Sequence, residues 1–273
     1  MSGVLRLRPA ESIELSVVVP VRNEAENIAD LTVEIVAALR GRIAFELVYV
    51  DDGSTDTTRE VLRGLMRSVP ELRTLDHDVP AGQSIAVHSG VDAARGDLIV
   101  TLDGDGQNDP RFIMEMVSAL RAGMPPVGLV AGQRVGRKAS RFKRLQSRIA
   151  NGVRGAILRD GTRDTGCGLK AFPRDVYLQL PVFDAMHRFL PALMRREGYA
   201  VAYVDVVDRE RRRGVSKYGM WNRLWVGILD LIGVWWLIRR RRVRPMVEEL
   251  SDDAGRSVAD DRDLFPGRVR QFS

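Results

Sequence analysis

A chain of 273 residues suits one large α/β domain or one domain with appendages, and its 45% hydrophobic and 29% charged residues allow a sizeable core. One cysteine, Cys167, excludes an intrachain disulfide and a cysteine-built zinc site, so a reducing compartment and oxygen-ligand metal chemistry are expected. The net charge of +6 gathers at 134–148, 209–213 and 239–244. No zinc finger or aromatic-interleaved basic motif accompanies these clusters, so phosphorylated substrates or an anionic bilayer fit them better than nucleic acid.

Residues 1–13 lack the apolar run and cleavage site of a secretory signal and read as a short lead-in. LSVVVP (15–20) reads as a buried strand, continuous, β-branched and ended by proline. Asn23 is placed to cap a helix whose Ile28, Leu31, Ile35 and Leu39 recur at helical spacing up to Gly41. FELVYV (45–50) is the next strand and runs into DDGSTD, where Ser54, Thr55 and Asp56 can cap a helix through Val61, Leu62 and Leu65. A short strand near 72–75 follows, then a helix over about 83–94 and a strand DLIVTL (97–102) ending in DGDGQ. Pro110 can open the next helix, and VGLVAG (127–132) closes the series. This alternation predicts a mostly parallel sheet with helices on both faces. Ligands of such sheets bind at the carboxyl ends of strands, where the strand order reverses. The polar clusters 20–24, 51–56 and 103–107 each follow a predicted strand directly.

Residues 133–217 are less regular and read as the acceptor half of the same domain. WNRLWVGILDLIGVWWLI (221–238) carries Arg223, Asp230 and four tryptophans, and falls short of the roughly 20 apolar residues a spanning helix needs. It reads as an amphipathic helix lying on the bilayer, held by the arginines after it, with a buried packing helix as the alternative. The expected divisions are thus a lead-in (1–13), a catalytic domain (14–218), an interfacial helix (219–244) and a polar tail (245–273), with no internal repeats.

In DGDGQ, Asp103 and Asp105 leave a strand two positions apart, and Gly104 and Gly106 remove side-chain bulk. Alternating backbone directions would send one carboxylate toward a sugar or base and the other toward a cation. A hard Mg²⁺ or Mn²⁺ takes such oxygens together with substrate phosphates, and Gln107 can add a neutral carbonyl oxygen. A surface turn or a calcium loop remains open for this motif alone, although the EF-hand spacing is absent. Asp51 or Asp52 could accept hydrogen bonds from ribose hydroxyls or a base N–H, and Glu24 opens a helix where a carboxylate also suits the dipole.

Together VVVPVRNEAENI, VDDGSTDTT and AGQSIAVHSGVDAARGDLIVTLDGDGQNDP resemble the inverting family 2 glycosyltransferases of GT-A fold. The resemblance is strongest to the polyprenyl-phosphate branch, the dolichol-phosphate mannosyltransferases and undecaprenyl-phosphate sugar transferases. It continues through RDTGCGLKAF (163–172), MHRFLPAL (186–193) and RERRRGVSKYG (209–219), and covers about residues 14–220. It implies a nucleotide-sugar donor against Pro20, Val21, Asn23, Glu24, Asp52 and Asp103, with Gln83 near the donor. The metal would rest mainly on Asp105 and Gln107, with Asp103 beside it. Gly104 and Gly106 depart from the family's usual alanine and apolar residue, which implies a more flexible loop.

For the acceptor, the resemblance implies phosphate contacts from Arg134, Lys143, Arg144 and Ser147, with His187 and Arg188 nearby. It also implies a loop in which Arg211, Ser216 and Lys217 close on the donor diphosphate and exclude water. A polyprenyl phosphate brings its own anionic nucleophile and needs cationic positioning, for which arginine is well suited. A hydroxyl acceptor on a soluble or polysaccharide substrate needs a general base, and Asp164 is the candidate. A nucleotidyltransferase on a similar sheet would show a Gly-rich N-terminal loop, which this chain lacks. Cys167 reads as a small buried residue and His187, taken alone, as structural. Enzymes of the resembled branch often carry extra transmembrane helices, but the single marginal apolar segment here points to peripheral binding at the cytoplasmic face of a membrane.

Overall fold

The computed structural model describes residues 12–123, 126–135, 152, 154–155, 157–158, 160–162, 164–209 and 220–240, the side chains of 220–228 excepted. Strands β1 (Leu15–Val21), β2 (Phe45–Asp51) and β4 (Leu98–Thr101) are almost wholly buried, as their unbroken apolar runs require when both faces of a sheet are covered. With β3 (Leu72–Asp76), β5 (Val127–Arg134), β6 (Lys170–Pro173) and β7 (Ala200–Val206) they form one seven-stranded sheet in the order β3-β2-β1-β4-β6-β5-β7. All pairs are parallel except those of β6, which runs antiparallel to β4 and β5. The mostly parallel sheet expected from the sequence is therefore present, with β6 as its exception.

Helices α1 (Ala25–Leu39), α2 (Thr58–Leu65) and α4 (Ile113–Ala122) cover one face, where Ile28, Leu31, Ile35, Leu39, Leu62 and Met116 are fully buried. Burial of each such aliphatic side chain stabilises the fold by about 1.5–3 kcal/mol. Helices α3 (Gln83–Asp92), α5 (Arg174–Leu178) and α6 (Leu190–Arg196) cover the other face through Val87, Val91, Tyr177, Leu190 and Leu193. Helix α7 (Met220–Arg239) packs Leu231, Val234, Leu237 and Ile238 onto this second core. Its other side leaves Leu229, Ile232 and Trp236 in solvent, three residues on one helical stripe. No helix among the described residues is long and apolar enough to cross a membrane.

Some local expectations are corrected. Asn23 does not cap α1: Glu24 occupies that position without a side-chain cap bond. Asn23 instead takes a left-handed backbone (φ 55°) and accepts the Thr55 N–H with its Oδ1 at 2.7 Å, tying the first loop to the second. At α2 the cap position falls on Thr57, while Asp56 accepts the Thr58 N–H. Pro110 opens a 3₁₀ turn (Pro110–Phe112) that leads into α4.

The strand order reverses at β1, which has β2 on one side and β4 on the other. Its carboxyl end therefore stands beside those of both neighbours, and the clusters 20–24, 51–56 and 103–107 meet there. In this chain Gly104 sits close against β1, where a Cβ would lie 2.5 Å from Val21 Cγ1 and 3.1 Å from Pro20 O. Gly106 is required for a different reason, its left-handed φ of 72°. At the opposite end of the sheet, Glu46 is buried and accepts from Ser16 Oγ (2.7 Å), Arg73 Nη1 (2.6 Å) and Arg95 N (2.6 Å), which locks the starts of β1 and β2 together.

Candidate active site

The first two loops are laced by short bonds. Asn23 N donates to Ser54 Oγ at 2.8 Å and Glu24 N to Thr58 Oγ1 at 3.0 Å, while Glu24 Oε2 accepts from Asn27. These contacts hold Pro20, Val21, Asn23 and Glu24 against the second acidic loop.

Asp52 is placed differently from a simple ligand. Its Oδ1 contacts His77 Nδ1 at 2.8 Å and accepts the Ala81 N–H at 2.8 Å, while Oδ2 accepts the Gly82 N–H at 2.9 Å. Burial works to raise its pKa, but the Ala81 and Gly82 amides and His77 outweigh that and keep it below the ordinary carboxylate value. Both oxygens thus organise the 77–82 loop. His77 in turn reaches Ser89 Oγ at 3.0 Å, so a histidine absent from the motifs fixes this wall to α3.

That loop delivers Gln83, whose Nε2 donates to Asp103 Oδ1 at 2.8 Å. Asp103 N donates to Asn108 Oδ1 at 3.0 Å, and Asp105 Oδ1 accepts the Gln107 N–H at 3.1 Å, giving the DGDGQ loop its curl. Gly168 lies over the Asp103 carboxylate so closely that a Cβ there would overlap it. Burial, and then the nearby charge of Asp105, push Asp103 up to about 6, against the opposing pull of Lys170, Arg134 and Gln83. Two carboxylates crowded at one strand end, one with its charge disfavoured, fit a divalent cation that would relieve both. Among the described residues no group of three or more His, Cys, Asp or Glu side chains could hold a metal alone. Asp103, Asp105 and Gln107 therefore suit a hard ion that completes its shell with substrate oxygens.

On the other side of Asp103 the 164–168 segment returns. Arg134 forms a forked pair with Asp164, Nε–Oδ2 2.5 Å and Nη2–Oδ1 2.8 Å, and reaches Asp208 Oδ2 at 3.2 Å. Burial works to raise Asp164, yet the Arg134 bonds outweigh it and hold Asp164 below the usual carboxylate range. The arginine expected at the acceptor phosphate and the candidate base are therefore partners of each other. Arg209, hidden in the basic run, pins Gln107 by donating its N–H to the Gln107 carbonyl at 2.9 Å, with Asp109 and Glu34 holding its guanidinium.

A cavity of about 110 Å³ lies behind Asp103, with Gln83, Cys167, Lys170, His187 and Arg188 among its walls. His187 Nδ1 contacts Ser84 Oγ at 2.7 Å. Burial, followed by the charges of Lys170 and Arg188, pushes His187 down to about 3, so it is neutral at physiological pH. Cys167 is buried, and burial raises its thiol to about 11, which leaves it inert as a nucleophile. Lys143, Arg144, Ser147, Arg211, Ser216 and Lys217 lie outside the described residues. Lys170 escaped the sequence reading because β6 is only four residues long, in a stretch without regular periodicity.

This arrangement, acidic loops at the reversal point of a doubly covered sheet, is that of an α/β protein whose ligand site lies at the carboxyl ends of its strands. Residues 16–180 match the family Glycosyl transferase family 2, and the chain belongs to that family. It is a glycosyltransferase of GT-A fold. It is 37% identical over 236 residues to a dodecaprenyl-phosphate galacturonate synthase of Rhizobium johnstonii, covering 85% of this chain and 69% of that one. It is 33% identical over 209 residues to an undecaprenyl-phosphate 4-deoxy-4-formamido-L-arabinose transferase of Edwardsiella ictaluri, covering 76% of this chain and 63% of that one. The chain thus spans less than two thirds of the Edwardsiella protein. The fold is similar to that of glucosyl-3-phosphoglycerate synthase of Mycobacterium tuberculosis, crystallised with Mn²⁺, UDP and glucosyl-3-phosphoglycerate (TM-score 0.64, 22% identity, 83% of this chain and 80% of that one).

Proposed function

We propose that the chain transfers a sugar from a nucleoside-diphosphate sugar to a polyprenyl phosphate at a membrane surface, by a single displacement that inverts the anomeric centre. The observation that carries this reading is the locked state of Asp164. A hydroxyl acceptor needs a base, and Asp164, the candidate offered by the sequence, is held by a forked arginine below the usual carboxylate range. A phosphate monoester is already anionic and needs only to be held, which favours the lipid phosphate over the hydroxyl acceptor. The names of the Rhizobium and Edwardsiella relatives agree with that choice.

In this reading Pro20, Val21, Asn23 and Glu24 line the nucleotide, Asp52 and His77 shape the wall that carries Gln83, and Gln83 and Asp103 face the donor. Mg²⁺ or Mn²⁺ on Asp103, Asp105 and Gln107 would supply charge stabilisation to the departing diphosphate. The exposed Arg188, with Lys143, Arg144 and Ser147, would receive the acceptor phosphate, while Arg134 keeps Asp164 and Asp208 in place. Arg211, Ser216 and Lys217 remain assigned to the donor diphosphate. The Leu229, Ile232 and Trp236 stripe of α7 would lie on the cytoplasmic face of the bilayer, beside the basic residues that follow. The two relatives carry different sugars in their names, so the sugar is left to the pocket. Incubation with a panel of nucleotide-sugars, Mn²⁺ and undecaprenyl phosphate in detergent, read by mass spectrometry, should yield a glycosylated lipid phosphate. Release of nucleoside diphosphate with only soluble glycosylated products would turn the reading to a hydroxyl acceptor.

A further inference from the structure

Lys170 is the first residue of β6, only 4% exposed, and its register partner is Thr101 at the end of β4. Its Nζ donates to the Cys167 carbonyl, which is its one hydrogen bond among the described residues; it forms no ion pair with them. An ammonium has three hydrogens to donate, so two are without an acceptor among the described residues. The segment that carries its partner is held firmly, since Thr101 Oγ1 donates to Gly168 O at 2.7 Å. Burial disfavours the charged lysine; Cys167, and then Asp103 and Asp164 from beyond ion-pair distance, work the other way, with Arg134 opposing them. A buried cation with so little local compensation is unfavourable unless a ligand completes it.

The cavity that Lys170 lines opens toward the donor residues Pro20, Gln83 and Asp103, and its other walls include Val87, Leu102 and Leu190. Such apolar walls strengthen any charge interaction made inside. The wall also contains His187, a neutral group that does not repel the cation's ligand by charge and whose Nδ1 is engaged by Ser84. Arg188 is the exposed cation of the same cavity and suits a phosphate arriving from a lipid surface. Lys170 is the buried cation of that cavity, only 4% exposed.

We propose that this cavity is an anion subsite in which Lys170 Nζ receives a carboxylate carried by the transferred sugar, so that the donor is a nucleotide-linked uronic acid. The inference rests on the glycosyl-transfer reading and names its substrate class. A site built to bind a charged group discriminates against the analogue that lacks it, because its own polar group is then left unpaired.

The test compares UDP- and GDP-linked hexuronates with the matching hexoses, using the full chain, Mn²⁺ and undecaprenyl phosphate. Binding of the same donors is measured by calorimetry without acceptor. The wild-type protein should favour a hexuronate by at least about tenfold in kcat/KM and in affinity. Lys170→Met should lose at least about tenfold more on the hexuronate than on the hexose, in kcat/KM and in affinity alike, with an unfolding temperature no lower than that of the wild type. A wild-type preference for the neutral hexose overturns the proposal, and needs no variant to fold. Equal losses on both donors would make Lys170 a support for Asp103 alone and overturn it too. A rise confined to the acceptor KM would give the anion to the lipid phosphate instead. If binding favours the hexuronate but no lipid product forms with any donor, the subsite stands and the lipid-acceptor reading falls.

Discussion

Asparagine at position 103 should make the metal-free protein more stable while destroying its activity. Asp103 is hemmed in by Gly168 and Gln83 with Asp105 close by, and its pKa of about 6 stands some two units above the ordinary value of 3.8. Each unit is worth about 1.4 kcal/mol, which gives about 3 kcal/mol against the ionised form at neutral pH. Part of the residue still meets solvent, so about 2 kcal/mol is the working figure. Asparagine keeps an oxygen to accept the Gln83 bond and removes the charge. In a metal chelator at pH 8, Asp103→Asn should raise the unfolding temperature by about 4–8 °C. Because the folded-state pKa is raised, the wild-type penalty is absent below about pH 4 and grows as pH rises through 6. The gap should therefore open across that window, and saturating Mn²⁺ should close it by favouring the wild type. An asparagine variant less stable than wild type at pH 8, or a gap of constant size from pH 4 to 8, would refute the reasoning.

Three further outcomes follow from the same geometry. Gly168→Ala places a Cβ into the Asp103 carboxylate, so transfer should fall by about 100-fold while far-ultraviolet dichroism stays native; an active variant would mean that Asp103 can sit elsewhere. Glu46→Gln leaves Arg73 without its buried partner and should cost about 3 kcal/mol in urea unfolding at pH 7. Burial works to raise the Glu46 pKa, but Ser16, Arg73 and the Arg95 amide outweigh it, so the stabilisation is present above the ordinary carboxylate range and fades as pH falls through the lowered value. A cost that persists undiminished at pH 3 would contradict that. Arg134→Met should destabilise the protein by about 3 kcal/mol by removing the cation that pairs with the half-buried Asp164 and Asp208, and Asp164→Asn on top of it should restore part of the loss. An unchanged stability with only a raised acceptor KM would return Arg134 to the phosphate.

The strands and acidic loops were legible because β1, β2 and β4 are continuous apolar runs, and polar residues at the end of such a run fall at one edge of the sheet. What the sequence hid depends on partners distant in the chain. Asp52 and His77 are 25 residues apart, and nothing in either segment signals that the carboxylate serves the loop carrying Gln83. Asn23 looks like a helix cap because its short amide suits that position, yet it reaches the Thr55 amide 32 residues on. Strand β6 has four residues and no periodic signal, so both its antiparallel direction and the burial of Lys170 came only with the fold. Arg134 and Asp164 were each read as ligands of something outside the protein. Only their 2.5 Å contact reveals that they satisfy each other.

The central claim is that the nucleophile is a lipid phosphate whose own charge replaces a catalytic base. The most direct measurement supplies a labelled nucleotide-sugar and Mn²⁺ with either polyprenyl phosphate or the matching polyprenol, and counts label in the organic phase. The account predicts label with the phosphate and none above background with the alcohol. Equal labelling of both lipids, or labelling of the alcohol alone, would contradict it and require a base that the locked Asp164 does not supply.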